Sequence, residues 1–431
     1  MLKRFSMYCF GRCQAIWGDP LHRNSFFLMA STTMVSLVGF VYWIINARLY
    51  SPEEIGLAVT LISATSLVTN FSLVGLNNSI VKYLPKSKDP NNVINTILLA
   101  IVISSFIAAV IFLLGLNVFF PKILFIRENF FYALLFCIFI IFSALNAITD
   151  SIFINGRTTQ YILIINTIMS VFKLLLVFAL VKLGSYGIFY SFAGSIILAM
   201  LLSIFFIIRK FKYRFSFFLD IKLLRTMAAF SFANYVASFI SMAPGLVIPL
   251  IITNNLDPKV TAYYYLPSMI INILLAIPRS ATSSLFAESS HDDTKLVEHV
   301  GKTLKSIYTL LIPAVLIIVL FGRYILLVFG KSFSDEGYVF LNLTSISLLF
   351  GSLTFVANTV FIVKSKLKYL MFSAVTTSLL SIGLTYGFIG YGLLGIGYSG
   401  LASQMLAALI VAGLALRLMS NGFTKRSNHH P

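Results

Sequence analysis

Acidic residues are scarce in this chain: 14 Asp and Glu in 431 residues, against 32 Lys and Arg. Charge of either sign makes up only 11%, where a soluble domain carries about a quarter. Cysteine is almost missing as well. Cys9, Cys13 and Cys137, with five His, give neither a disulfide framework nor a metal-ligand spacing, so no structural metal is expected. Tryptophan is limited to Trp17 and Trp43, which suggests interfacial anchors, while 41 Phe suit lipid-facing surfaces. Phosphate-binding glycine loops, nucleophile elbows and facing carboxylate pairs are all missing, so the sequence offers no catalytic machinery and calls for no cofactor. The first 20 residues hold Lys3, Arg4 and Arg12 but no continuous apolar core and no small-residue cleavage site, so no cleaved signal peptide is read there.

What is present is hydrocarbon. The chain is 58% hydrophobic, and its charge sits between long apolar runs. From Asn24 to Ala47, and again from Ile55 to Val81, there is no charged residue, and each run is long enough for a helix of about 20 residues that crosses a bilayer. Continuing in this way gives twelve spans: 24–47, 55–79, 93–119, 130–150, 161–182, 186–208, 226–253, 260–286, 303–322, 338–363, 368–389 and 392–416. The reading is an all-α polytopic membrane protein with two six-helix lobes.

Placement of the cations fixes a sidedness. With the spans as drawn, 23 of the 32 Lys and Arg fall on the side of the amino terminus and seven on the other. The remaining two, Lys173 and Arg279, lie inside spans. Such a bias predicts cytoplasmic termini and a cell-membrane location, and it accounts for most of the +18 net charge without nucleic acid as a partner. The longest connection, the basic stretch 209–225, parts residues 24–208 from 226–417, with 1–23 and 418–431 as cytoplasmic ends. At an offset of 206, Ser25-Phe26 meets Ser231-Phe232, Gly39 meets Gly245, and Ser51-Pro52 meets Asp257-Pro258. The turn 82–88 then falls on 288–294, so two parallel halves are expected.

Polar residues in the spans fall in lines. Span 1 carries Ser25, Thr32, Ser36, Gly39 and Asn46, and span 2 carries Ser63, Ser66, Asn70 and Asn77. Span 7 carries Ser231, Asn234, Ser238, Ser241 and Gly245, broken by Pro244 and Pro249. Span 8 places Ser268, Asn272, Arg279 and Ser283 on one face, with Pro278 just before the arginine. Four such lines suit helices facing a wet cleft, although small residues also serve close helix packing. Ionisable groups inside a span are functional candidates by default. Arg279 heads the candidates, with snorkelling to the cytoplasmic side as its bland explanation. Lys173 shares a face with Asn166 and Ser170 near mid-membrane, where it is either a bundle-internal lysine or a site residue, with Asp150 as a distant counter-ion. Arg48 and Arg157 close span 1 and open span 5, positions that fit either interfacial anchoring or headgroup contact. The acidic and histidine-bearing loop around Glu288, Asp292, Asp293 and Glu298 reads as solvated surface.

The opening hairpin carries a resemblance. Asn24, then Ala47-Arg48-Leu49-Tyr50-Ser51-Pro52-Glu53-Glu54-Ile55-Gly56, then Gly75-Leu76 and Ile80-Val81-Lys82-Tyr83-Leu84-Pro85 resemble the start of polysaccharide-biosynthesis flippases. These belong to the multidrug/oligosaccharidyl-lipid/polysaccharide exporter superfamily. Asp257-Pro258 through Ala287-Glu288-Ser289-Ser290 and Phe329-Gly330-Lys331-Ser332-Phe333 resemble the second half, and the likeness covers about residues 24–417. It implies two lobes around a central cavity, alternating access, and export of a polyprenyl-pyrophosphate-linked oligosaccharide. The cations matching in kind those thought to hold the pyrophosphate are Arg48, Arg279 and Lys173, with Asn70, Asn234 and Asn272 beside them. Implied partners are that lipid, membrane lipids, and a polymerase and glycosyltransferases. Drug-exporting members carry an acidic residue in the first span, which this chain lacks, and lipid II flippases carry two further spans. A cation-coupled exporter of small amphiphiles and a non-transporting scaffold are the competing expectations.

Overall fold

The computed structural model describes residues 20–211, 213–291 and 295–427, so the expectations for Trp17, Cys9, Cys13 and the first nineteen residues lie outside it. Within a bilayer every backbone N–H and C=O needs an internal partner, and a chain without strand alternation meets this only as helices. Among the described residues the α-helices of eight residues or more are, first, α1 (Pro20–Leu49), α2 (Pro52–Ser72), α3 (Leu76–Tyr83), α4 (Pro90–Phe119), α5 (Phe130–Asn155), α6 (Gln160–Ala179) and α7 (Ser185–Phe211). After these come α8 (Ile221–Asn255), α9 (Pro258–Leu274), α10 (Ala276–His291), α11 (Leu296–Leu326), α12 (Lys331–Val363), α13 (Leu367–Phe388) and α14 (Gly392–Ser427).

Among the described residues eleven stretches are long and apolar enough to cross a membrane. The last of them, Leu367–Met419, holds both α13 and α14, joined by a turn at Ile389–Tyr391 and by Gly392 at φ +66°. The described residues thus hold a helix for each of the twelve expected spans, and the chain is a multi-pass membrane protein. Two spans differ from the expected unbroken rods. Span 2 stops at Ser72, where Val74 (φ 46°) and Gly75 (φ 76°) turn the chain left-handed before α3. Seven residues no longer mean two turns of one helix there, so Asn77 leaves the line of Ser66 and Asn70. Span 8 is likewise interrupted, at Leu275, between α9 and α10.

Much of the scarce acid and amide is spent on starting helices. Ser51 and Glu54 form a reciprocal cap: the Ser51 N–H donates to Glu54 Oε2 (2.8 Å) and the Glu54 N–H to Ser51 Oγ (3.3 Å), with Pro52 as first helical residue. Asp89 accepts from the Asn92 N–H, Asn129 from Phe131, and Asp257 from Lys259, so helices begin where the sequence supplies a short acceptor.

By packing, the chain forms two units. One gathers the residues up to Asn46 together with Ala64–Tyr235, and the other Ala47–Ser63 together with the residues from Val236. The first unit is built on α4, α5, α6 and α7 around Ile97, Ile101, Ala144, Ile148, Phe153, Ile165 and Ala199. Trp43, expected at an interface, is buried in this unit edge-on to Tyr42, because the adjoining tyrosine supplies a ring partner that lipid does not. The second is built on α11, α12 and α14 around Ile307, Leu311, Leu348, Val356, Phe361 and Val411. Lipid tails are as apolar as these side chains, so close packing and dispersion hold the helices, not removal from water. Small hydroxyl residues make that approach possible: Ser191, Ser203, Ser345, Ser352 and Ser399 are fully buried in it.

Residues 213–220 are the non-helical part of the basic stretch, and they are clamped in the first unit. Asn95 Oδ1 accepts from the Tyr213 hydroxyl and the Ser216 N–H, while its Nδ2 donates to the Arg214 carbonyl (3.1 Å). Burial pushes the Tyr213 hydroxyl up to about 12, so it stays a neutral donor. Phe217, 86% exposed, points outward from this elbow among the exposed Arg209, Lys210, Arg214 and Lys222, a composition suited to a headgroup layer.

Candidate functional site

In the second unit the polar line of span 8 lies on the surface except at Ser268, which is half-buried and donates to Tyr264 O (2.7 Å). Asn272, Arg279, Ser280, Ser283 and Ser284 are exposed, whereas Leu266, Ile270, Pro278 and Leu285 on other faces are buried. The helix is interrupted where Pro278 lacks the N–H that the Leu274 carbonyl would accept. Arg279 resumes the ladder by donating from its N–H to Leu275 O (3.2 Å). Ser280 donates to Ile277 O (3.0 Å), Ser283 to Arg279 O (2.9 Å) and Ser284 to Ser280 O (3.4 Å). Each hydroxyl has thus used its proton on the backbone, and its lone pairs remain for a ligand that donates. Among the described residues the Arg279 guanidinium has no hydrogen bond or ion pair, and the Asn272 side chain has none either. A fixed cation and a row of acceptors share one face of α10, and Asn272 is exposed on α9 just before the break.

The polar line of α8 continues the pattern. Ser238, Ser241 and Gly245 are exposed, with Ser241 donating to Ala237 O (2.9 Å). Pro244 deprives the Ile240 carbonyl of its helix partner, and Ser378 Oγ of α13 donates to that carbonyl instead. The bend is therefore held by a neighbouring helix. Asn234 and Ser231 belong to α8, but their side chains lie outside the described residues.

Lys173 stands in contrast. It is 7% exposed inside the first unit, with Nζ 4.7 Å from the centre of the Tyr42 ring and 5.6 Å from that of Phe192. The Tyr42 hydroxyl is itself fixed by Ser191 Oγ (2.8 Å) and Ile188 O (3.1 Å). Asn166 of the same helix face donates to Ser31 Oγ (2.9 Å). Among the described residues Lys173 forms no ion pair, with Asp150 or any other carboxylate; the ring faces take that place.

The other two candidates are engaged with backbone. Arg48, at the end of α1, donates from NH2 to Leu327 O (2.7 Å) and Val328 O (2.9 Å) and from Nε to Val328 O (3.1 Å). Those are the orphan carbonyls where α11 ends. Asn70 donates to Ser66 O (2.8 Å), and the Tyr235 hydroxyl closes on Asn70 O and Phe71 O, where α2 nears its end. Gly56, five residues after Ser51, faces the start of α9: a Cβ there would lie 1.6 Å from Pro258 O. Beside it Thr60, Thr253 and Thr261 form a chain of buried hydroxyls. The stretch Ala47–Ser63, which carries much of the family resemblance, is thus packed within the second unit.

Sequence reasoning passed over a second polar region in that unit, where α8, α12, α13 and α14 enclose a cavity of about 260 Å³. Thr354, Asn358, Thr377 and Gln404 line it. The signal was available: Asn358 and Gln404 are amides inside apolar spans.

A family model described as polysaccharide biosynthesis protein matches residues 21–287, more than half of the chain. Comparison with curated protein sequences gave no match. Among solved structures, a lipid II flippase, MurJ, in an inward closed conformation superposes with a TM-score of 0.72 at 17% identity, covering 94% of this chain and 93% of that one. An inward-facing multidrug resistance transporter of the MATE family in the MOP superfamily gives 0.71 at 14% identity, covering 92% and 98%. A MOP superfamily transporter from Pyrococcus furiosus gives 0.57 at 14% identity, covering 94% and 97%. These likenesses establish the fold.

Proposed function

Because this chain belongs to the polysaccharide biosynthesis protein family, we propose that it carries a lipid-linked oligosaccharide from the inner to the outer leaflet of the cell membrane by alternating access. A diphosphate-sugar headgroup is too polar to cross about 30 Å of hydrocarbon unaided. The single observation that carries the reading is the exposed, unpartnered Arg279 on a hydroxyl-lined face. A guanidinium in a membrane helix is costly unless it meets water, an anion or a polar cavity. Its planar fork pairs two phosphate oxygens at once, which suits a diphosphate. Asn272, exposed on α9 before the break, is within reach of the first sugar, and the serine lone pairs accept from sugar hydroxyls. The lipid tail needs no carrier and stays in the bilayer. The cation bias puts both termini in the cytoplasm, and a polymerase and glycosyltransferases are the partners that would consume and supply the cargo.

The test is a lipid extraction from a strain lacking the gene, with surface polysaccharide scored in parallel. Accumulated polyprenyl-linked oligosaccharide with loss of surface glycan is the expected result. Intact glycan without accumulation overturns the reading, and drug sensitivity in that same strain points to an exporter of small amphiphiles.

A further inference from the structure

The cavity enclosed by α8, α12, α13 and α14 has the chemistry of a ligand site distinct from the Arg279 face. Thr354 is 7% exposed, and its Oγ1, together with Asn358 Oδ1 and Thr377 Oγ1, is buried without a hydrogen-bond partner among the described residues. All three line the cavity, as do Ser381, Gln404 and Phe355. Buried polar atoms are satisfied as a rule, so three orphans around one space call for a polar occupant. Asn358 Oδ1 only accepts, so that occupant must donate. Among the described residues no charged side chain lines the cavity. A cation, which binds through carboxylates in most oxygen sites, would enter with its charge unmatched, and an anion would find no cation. The occupant is therefore neutral and hydroxyl-bearing.

Size and shape narrow it further. About 260 Å³ is the liquid volume of about nine waters at roughly 30 Å³ each, the scale of one sugar ring with a little water. Phe355 supplies an aromatic face, the natural partner for the C–H face of a pyranose. The cavity also reaches Ser241, which is exposed on the polar line of α8, and Pro244, whose orphaned carbonyl partner is held by Ser378. The cavity thus borders the hydroxyl-bearing side of α8, and the bend beside it is pinned.

We propose that this cavity is a subsite for one neutral sugar unit of the transported lipid, and so a determinant of which oligosaccharide is accepted. The inference rests on the flippase reading. Its test uses the full-length purified chain and two probes: the lipid-linked oligosaccharide that accumulates in the deletion strain, and the same polyprenyl diphosphate without sugars. Thr354→Val and Asn358→Leu are expected to weaken binding of the sugar-bearing lipid about tenfold, the worth of one or two hydrogen bonds, and to leave the bare diphosphate unchanged. Both variants replace an orphan oxygen by carbon, so their melting temperatures should hold or rise. That is a signature which loss of a merely structural polar group does not give. Labelling of Ser381→Cys, slowed by the sugar-bearing lipid alone, is the check that survives if either variant misfolds. Unchanged binding of both probes by both variants means a water-filled space only and overturns the subsite. Equal weakening of both probes also overturns it. If the wild-type chain holds neither probe, the flippase reading falls and the subsite with it.

Discussion

Lys173 and Arg279 are the two cations that the chain carries inside its spans, and their surroundings are opposite. Lys173 is enclosed by rings, with its ammonium on Tyr42 and Phe192. Arg279 stands exposed on a face of hydroxyl acceptors and among the described residues touches no carboxylate. A cation that the protein has already partnered is held in place; one that it has left unpartnered is available to something else. Intramembrane charge by itself does not mark a site, and the state of its partners decides.

The sharpest way to break this contrast is at Arg279. Arg279→Ala should lower transport of the lipid-linked oligosaccharide by about a hundredfold or more, since a buried or partly buried charge pair is worth several kcal/mol once its partner is present. Membrane insertion and melting temperature should stay as they were. Arg279→Lys should recover only part of the activity, because a point charge replaces a two-pronged fork. Surface glycan at wild-type level in Arg279→Ala would remove the residue from the site.

Arg48 sharpens the comparison from the side of scaffold. Its donors go to Leu327 and Val328 carbonyls, so Arg48→Ala should cost about 2 kcal/mol, in the range for hydrogen bonds from a charged group. The readout is thermal unfolding in detergent, with transport per folded molecule preserved. Gly56→Ala should act in the same direction by about 1–3 kcal/mol, as overpacking against backbone does, because the added carbon meets Pro258 O. A selective transport defect without loss of stability in Arg48→Ala would instead return that residue to the headgroup.

How much of this was legible beforehand follows from which interactions are local. The twelve spans were, since a span needs only a run of apolar residues; the caps at Ser51 and Asp257 are just as local, with partners within three residues, but were not read from the sequence. Arg279 was visible as a charge on a polar line. That Arg48 would be engaged by carbonyls 279 and 280 residues away was not, because a cation at a span end looks the same whether it meets lipid, ligand or a helix terminus. The aromatic enclosure of Lys173 was hidden for the same reason: Tyr42 and Phe192 are unremarkable in a chain with 20 Tyr and 41 Phe. Val74 defeats the stripe on span 2, since nothing in its residue type announces φ 46°.

The smallest expected effect belongs to Lys173, and it is the most informative. Keeping an ammonium out of water costs several kcal/mol, and two ring faces return about 2 kcal/mol where the site is desolvated. The balance therefore runs against the charge, and Lys173→Met, close in length and shape, should leave the melting temperature unchanged or raise it by the equivalent of about 1 kcal/mol. Tyr42→Phe should lower it by about 1 kcal/mol instead, since it keeps the ring under the ammonium but strips the hydroxyl that Ser191 and Ile188 hold. If transport in proteoliposomes survives both substitutions within a factor of a few, Lys173 is packing and the contrast with Arg279 stands. If Lys173→Met keeps its stability and loses transport, the ammonium is being retained for function against its own energetic cost, and enclosure by rings no longer separates a structural cation from a working one.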